Sequence, residues 1–302
     1  MTTTNIIDGK KLAAEKEQLL KIEVQKLTKK IGRRPKLVAV ELADDEGSRL
    51  YLKLKRAVAE RVGIEMKVIS IPKPIYDLRF TIYEDCDGIF VQHPRGFDKQ
   101  KWQELVDQIP PEKDVDCLTS ENLRLIKEGS PRFLPATVKA VGYVILNVVK
   151  DPVGSNPKWD SSVVSLLQND GLLRHFLHNK YVVILGRSPM VGLPLFWWLK
   201  SLGANVALFH SQSTINDLRL AVSEADILIS SVGKPGIITG IMVKSGVVVI
   251  DCGSPSGDVV FDEVAPKVSA ITPVPGGVGP LTVVGLMENV VKSVKDTYAK
   301  KR

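Results

Sequence analysis

A few residues in this chain carry groups able to move protons or hold phosphate. Tyr51 and Lys55 stand four apart in Tyr51-Leu52-Lys53-Leu54-Lys55, a spacing that puts both on one face of a helix. Leu50 and Leu54 lie beside them, so that face is partly apolar. An amine held against apolar surface gives up its charge more readily and can act as an acid or base; the same pattern also describes an ordinary surface pair. Gln92 closes the apolar run Gly88-Ile89-Phe90-Val91. That is the strand end where α/β proteins place ligands, and the amide can bond an amine or a carbonyl. Asp114 and Asp116 follow Pro110-Pro111 in Lys113-Asp114-Val115-Asp116. A buried carboxylate here can hold an amino-pyrimidine edge through paired hydrogen bonds, or it can cap a helix or turn.

The segment Gly186-Arg187-Ser188-Pro189-Met190-Val191-Gly192 is a glycine turn between an apolar strand and a helix. Backbone N–H groups at such a turn can hold phosphate, although many strand-to-helix turns need glycine for steric reasons alone. In NAD-binding folds an acid about 20 residues further on bonds the ribose 2′-hydroxyl. Here the next strand ends Leu208-Phe209-His210-Ser211-Gln212-Ser213, with no acid. Arg187 and Ser211 are available to a 2′-phosphate, and arginine suits phosphate because it bonds bidentately. The chemistry favours NADP over NAD; the other reading is a surface arginine beside a plain strand cap. The densest segment is Ile271-Thr272-Pro273-Val274-Pro275-Gly276-Gly277-Val278-Gly279-Pro280-Leu281-Thr282. Paired glycines allow backbone to approach a ligand and prolines stiffen the loop, so a binding loop is expected.

Periodicity supplies the elements that would position these groups. Helices are expected over 8–31, Leu50 to Val62, Thr137 to Val149, Leu193 to Leu202 and Val283 to Tyr298. Continuous apolar strands are expected at Leu37 to Leu42, Met66 to Ile71, Gly88 to Gln92, Tyr181 to Leu185, Asn205 to His210, Ile227 to Ser231 and Val247 to Asp251. Apolar strands interleaved with helices argue for parallel sheets. The fold class is therefore α/β in two domains. An N-terminal α/β domain is expected over 1–150, joined by a closing helix at 283–302, and a Rossmann-like dinucleotide domain over 151–282, after the loop Asp151 to Pro157.

Composition limits the alternatives. The 302 residues suit two domains at roughly 100–200 residues each, and the apolar fraction of 44% is ordinary for a packed core. No apolar run approaches the ~18 residues of a membrane helix, and Met1 to Lys16 carries no signal or transit pattern; a cytoplasmic protein without a membrane partner is expected. Cys86, Cys117 and Cys252 form no pair or metal motif. His175 and His178 sit three apart with no nearby acid or cysteine, so a solvated helix end is expected there rather than a metal site. The net charge is +7, part of it in Lys26, Lys29, Lys30, Arg33, Arg34 and Lys36. No aromatic residues interleave with that cluster, which argues against nucleic acid and leaves a solvated basic face or attraction of an anionic small substrate.

With these segments assembled, the chain resembles the bifunctional methylenetetrahydrofolate dehydrogenase/cyclohydrolase family over nearly its whole length. The resemblance is carried by Ile6-Ile7-Asp8-Gly9-Lys10, by Ser48, Tyr51 and Lys55 at their spacing, by Gly88 to Gln92 and by Lys113 to Asp116. Later blocks are Gly186-Arg187-Ser188 with Val191-Gly192-x-Pro194, His210-Ser211, Ala225 to Leu228, Val232-Gly233-Lys234-Pro235, Val249-Ile250-Asp251 and the Thr272 to Thr282 loop. It implies hydride transfer from 5,10-methylenetetrahydrofolate to NADP⁺, then hydrolysis of the methenyl product to 10-formyltetrahydrofolate. It implies Lys55 as the proton carrier, Gln92 as the residue that bonds and tunes it, and Tyr51 as the residue that orients folate. Val91, His93, Asp116 (the pterin anchor), Pro275, Gly276, Gly277, Val278 and Gly279 are implied on the substrate. Gly186, Arg187, Ser188, Val191, Gly192, His210, Ser211, Val232, Gly233, Ser254 and Thr282 are implied on NADP. A homodimer joined through the dinucleotide domain is also implied. The chain departs from the family pattern at His93-Pro94-Arg95-Gly96, where an apolar run is usual, at Ala136, Val138 and Ala140, at Cys117 in place of a glycine, and at Ser254 in place of an apolar residue. A cation at Arg95 would either lower the Lys55 pKa or bind a glutamate tail.

Overall fold

The computed structural model describes residues 4–42, 46–70, 86–92, 98–150 and 171–300. The His93 to Gly96 departure, the link with Pro72 and Pro74, and the loop from Asp151 to Pro157 lie outside the described residues. The chain divides into two compact units, one of residues 1–14 and 137–282, the other of residues 15–136 and 283–302.

The second unit is built on a three-stranded parallel sheet. Strand β2 (Lys36–Glu41) lies between β3 (Glu65–Ser70) and β4 (Gly88–Gln92). Leu37, Val38, Ala39 and Val40 are all buried, as expected of a parallel strand covered on both faces. Helix α2 (Glu46–Val62) precedes β3 and ends at Gly63, whose φ of +92° marks a left-handed helix stop. Past β4 the chain runs alongside that strand once more: Ile89 N donates to Lys113 O at 2.7 Å, and Val115 N donates to Ile89 O at 3.2 Å. Gly88 permits this, since a Cβ there would stand 2.6 Å from Val115 Cγ1. Helices α3 (Lys99–Val106) and α4 (Ser120–Lys127) are capped by Asp98 and Thr119.

The first unit carries a six-stranded all-parallel sheet in the order β1-β9-β8-β7-β5-β6, with β1 Asn5–Ile6, β5 Tyr181–Leu185, β6 Asn205–Phe209, β7 Ile227–Ser230, β8 Val248–Asp251 and β9 Ala270–Ile271. Its core includes Val183, Leu228, Val249 and Ile271, each fully buried. The helices in chain order are α5 (Ala136–Lys150), α6 (Gly171–Leu177), α7 (Gly192–Ser201), α8 (Ile215–Glu224) and the short α9 (Phe261–Val264). His175 and His178 are exposed at the end of α6.

Three boundaries differ from the sequence expectation. The N-terminal strand pairs with β9, Asn5 opposite Ala270 and Ile6 opposite Ile271, so the first residues complete the second sheet of the sequence rather than the first. Residues 137–150 cluster with that sheet as well. The last helix, α10, runs Val278–Lys300 and so begins inside the Thr272 to Thr282 loop. Among the described residues no helix is long and apolar enough to cross a membrane.

Candidate functional site

Helix α2 carries Lys55 to the C-terminal end of β4. The Lys55 amine donates to Gln92 Oε1 at 3.2 Å and lies 4.0 Å from the centroid of the buried Phe90 ring. Burial holds the amine below its ordinary value, and the negative charge of Asp116 offsets part of that fall. Burial likewise pushes Asp116 up, with Lys55 pulling it back. An amine bonded to a neutral amide rather than to a carboxylate loses its proton more easily, and the result is a lysine suited to exchange protons. Tyr51, one turn before Lys55, is 40% exposed and therefore open to a ligand. Val91 points into the core at 4% exposure, so any contact it makes with substrate runs through its backbone.

The two acids of the Lys113 to Asp116 segment separate in role. Asp114 is buried, and its Oδ2 accepts from Thr119 N at 2.8 Å and Asn122 Nδ2 at 2.9 Å. It organises the entry to α4, which is the turn reading of that residue. Asp116 is the acid left to act on Lys55. Its segment is pinned from helix α10, where the fully buried Asn289 donates to Val115 O at 2.7 Å and Leu134 O at 2.9 Å. Cys117 occupies the left-handed region at φ +62° and is fully buried, its thiol 3.1 Å from Phe133 O. A glycine would take this backbone without strain, and the cysteine replaces that freedom with a side-chain anchor. Sequence reasoning missed Asn289; the available signal was the polar pair Glu288-Asn289 set between Leu286-Met287 and Val290-Val291.

The other unit holds the glycine turn. Gly186 has φ +104°, and a Cβ on it would stand 2.5 Å from Ser231 O; one on Gly192 would stand 1.8 Å from Gly186 O. Both glycines are thus required for the turn to close on itself. Ser188 Oγ accepts from Val191 N at 3.1 Å and Ser188 O accepts from Leu193 N at 3.0 Å, securing the start of α7. Gly186 N donates to Phe209 O at 2.8 Å, which ties the turn to the end of β6. There the exposed Arg187 donates to Gln212 Oε1 at 3.1 Å, next to His210 and Ser211.

The loop Val232–Gly233–Lys234 is organised by a residue that sequence reasoning did not single out. Asp258 is fully buried. Its Oδ2 accepts from Ser230 Oγ at 2.7 Å, Val232 N at 2.8 Å and Gly233 N at 3.3 Å, and its Oδ1 accepts from Lys234 N at 2.8 Å. Successive N–H groups around a left-handed Gly233 (φ +71°) form an anion-binding nest, here filled by the chain's own carboxylate. In Ser254-Pro255-Ser256-Gly257-Asp258 this acid reads as one more turn residue, with no pattern around it to mark it out. Replacing Asp258 by Ala is expected to cost about 3 kcal/mol by leaving several donors unmatched. An unchanged urea midpoint would show that the carboxylate does not hold the loop. Nearby, Ser254 is exposed, and Thr282 Oγ1 donates to Val278 O at 3.2 Å within the first turn of α10.

The Thr272 to Thr282 segment packs in the same unit. Thr272 Oγ1 accepts from Asp251 N at 2.8 Å, Gly277 N donates to Pro273 O at 2.8 Å, and Gly276 O accepts from Lys10 N at 3.1 Å. Pro275 and Gly279 are exposed, whereas Gly277 and Val278 are buried. Part of this loop is therefore scaffold and part is open to a ligand. The structure brings Lys55, Gln92 and the Asp116 charge together in one unit. It places Gly186, Arg187, Ser188, Val191, Gly192, His210, Ser211, Val232, Gly233 and Pro275 to Gly279 in the other. His93 lies outside the described residues.

The chain matches the catalytic domain described as tetrahydrofolate dehydrogenase/cyclohydrolase over residues 7–116, and the NAD(P)-binding domain of the same name over residues 158–298. The bifunctional protein FolD of Lactobacillus delbrueckii subsp. bulgaricus is 37% identical over 303 residues, covering 95% of this chain and 96% of that one. The FolD protein of Caldanaerobacter subterraneus subsp. tengcongensis is 33% identical, covering 96% of each. Among solved structures, the N5,N10-methylenetetrahydrofolate dehydrogenase-cyclohydrolase of Trypanosoma brucei, complexed with NADP and an inhibitor, is 30% identical with a TM-score of 0.80 over 99% of both chains. The bifunctional enzyme of Campylobacter jejuni is 31% identical with a TM-score of 0.79 over 98% of this chain and 100% of that one. Two matched domains in order, relatives aligned from end to end, and a lysine bonded to a glutamine at a strand end agree: the chain belongs to the tetrahydrofolate dehydrogenase/cyclohydrolase family.

Proposed function

We propose that this protein oxidises 5,10-methylenetetrahydrofolate to 5,10-methenyltetrahydrofolate with NADP⁺ and then hydrolyses that product to 10-formyltetrahydrofolate. The observation that carries the reading is the Lys55 amine on Gln92, its charge disfavoured by burial, in a chain of this family. NADP⁺, when bound, supplies the hydride acceptor. The residues fit it: Gly186 and Gly192 let the strand-to-helix turn close tightly on its own backbone, Arg187 offers a guanidinium, and β6 ends without a carboxylate. Gly186, Arg187, Ser188, Val191, Gly192, His210, Ser211, Val232, Gly233, Ser254 and Thr282 are the residues assigned to hold it. The unit with the six-stranded sheet takes the dinucleotide, and the unit with Lys55 takes folate chemistry.

Ring opening assigns one proton path to Lys55. Water adds to the methenyl carbon and passes its first proton to the neutral amine. The bond from that carbon to N5 then breaks as N5 takes this proton. The second proton of the water leaves to solvent as the formyl carbonyl forms. Gln92 keeps the amine in place without adding charge. Asp116 keeps its proton affinity from falling too far and is assigned to the pterin edge, with Tyr51 orienting the ring. The family resemblance assigns Pro275, Gly276 and Gly279 to the substrate, with Gly277 and Val278 supporting that loop. A cytoplasmic setting belongs to the same proposal, as do a homodimer and use of the formyl product in purine synthesis, the last two resting on the family resemblance.

A steady-state assay with 5,10-methylenetetrahydrofolate, following reduced cofactor and methenyl product together, tests the reading. The expected result is reduced NADP with little lingering methenyl product and a preference for NADP⁺ over NAD⁺. Accumulating methenyl product would remove the second activity, and no reduction of either cofactor would remove both.

A further inference from the structure

We infer that Gln212 sets the choice between 2′-phosphorylated and unphosphorylated dinucleotides, a role that rests on the NADP reading above. Gln212 Oε1 accepts from Arg187 Nη2 at 3.1 Å. Its place is fixed by a closed turn after β6. His210 N donates to Ser213 Oγ at 3.0 Å, Ser213 N donates to His210 O at 2.9 Å, and Gln212 N donates to His210 Nδ1 at 3.2 Å. That last bond requires the neutral His210 ring to carry its proton on Nε2. The Gly186 N to Phe209 O bond at 2.8 Å sets the residue before Arg187 against the end of the same strand. Backbone on both sides thus holds the Arg187–Gln212 pair, while both residues are exposed.

The chemistry of the pair follows from its atoms. A guanidinium has five N–H donors in a rigid fork. The amide oxygen takes one of them and orients the group, leaving the rest for a phosphate. The amide is neutral, so it neither cancels the arginine charge nor repels a 2′-phosphate, and its own N–H groups add donors of the right sign. A glutamate at the same place would do the reverse in both respects. It would pair fully with Arg187 and set a negative charge against the phosphate, and it would accept from a ribose 2′-hydroxyl, as the acid of NAD-binding folds does. Selectivity therefore turns on one atom pair, nitrogen against oxygen, at the end of the Gln212 side chain.

Calorimetric titration of the full-length protein with adenosine 2′,5′-bisphosphate and with adenosine 5′-monophosphate reads this without catalysis. Wild type is expected to favour the bisphosphate. Gln212→Glu is expected to weaken bisphosphate binding at least about tenfold while the monophosphate binds as well or better, because like charges are brought together. Gln212→Ala, which removes the orienting acceptor without adding charge, is expected to lose about threefold for the bisphosphate. A bisphosphate-to-monophosphate ratio that stays at the wild-type value in both variants would overturn the inference. Arg187→Ala separates the two readings. If it abolishes the preference while Gln212→Glu keeps it, the NADP assignment stands and the role of Gln212 falls. A wild-type protein with no preference would overturn both.

Discussion

Replacing Lys55 by methionine is expected to slow hydrolysis of methenyltetrahydrofolate roughly 10³-fold, the range of a lost general acid–base group. Methionine keeps an unbranched apolar side chain and removes the amine that lies over Phe90 and that Gln92 holds. Methenyl product should then accumulate during oxidation of the methylene substrate, which a spectrophotometric time course reports directly. A variant that hydrolyses at the wild-type rate would end the proton-carrier role. The pH dependence supplies an independent sign. Lys55 acts as a base only when uncharged, so the rate should rise with pH through a value below the ordinary lysine range, as burial dictates. The charge of Asp116 holds that value up. In Asp116→Asn the support is gone, the value falls further, and the rising limb should move to lower pH. A limb that moves to higher pH would mean that another group titrates.

The sequence was most legible where a single element does a local job. Tyr181–Leu185 appears at its expected bounds because five apolar residues between a lysine and a glycine turn leave little else for it to be. The Gly186 to Gly192 turn was legible for the same reason: its glycines answer a backbone collision that any side chain would create. Lys55 and Gln92 were legible only in part. Helical spacing put Lys55 on a half-apolar face, but that it meets Gln92, 37 positions away, is a tertiary fact.

What escaped notice depends on contacts distant in sequence. Strands β1 and β9 are two residues each, too short for any period to show, and they exist because Asn5 N and Ile7 N bond Ser269 O and Ile271 O across more than 260 residues. Asp258 and Asn289 look unremarkable by type and neighbourhood, yet each gathers backbone groups from a segment that carries predicted site residues: Val232 and Gly233 for one, the segment leading into Asp116 for the other. Removing such a buried polar group strands its partners. Their partners are main-chain atoms, which a one-dimensional reading cannot see.

The family resemblance included Ile6-Ile7-Asp8-Gly9-Lys10, a segment with no evident chemistry, and the structure supplies its reason. Asp8 Oδ1 accepts from Lys11 N at 3.0 Å and starts helix α1 (Gly9–Ile31). Gly9 then passes so close to the Pro275 loop that a Cβ would stand 1.7 Å from Gly277 O and 2.8 Å from Gly276 O. Neither side can yield easily. Lys10 N is bonded to Gly276 O, Gly277 N is bonded to Pro273 O, and a Cβ on Gly277 would in turn meet Pro273 O at 2.6 Å. Gly9→Ala is therefore expected to destabilise the protein by about 3 kcal/mol, the upper range for forcing a methyl group into a packed site, and to weaken folate binding by displacing the loop. Gly279→Ala is the matched control, because a Cβ there meets nothing within 4 Å and the position lies in the first turn of α10. Alanine in a helix is favoured over glycine, so this variant should hold or gain about 0.5 kcal/mol. Urea unfolding and folate titration of the two variants separate scaffold from site. Equal stability losses would show that the loop tolerates no change anywhere. A stable Gly279→Ala that binds folate poorly would show that the exposed end of the loop meets the ligand, while Gly9 serves only to hold it.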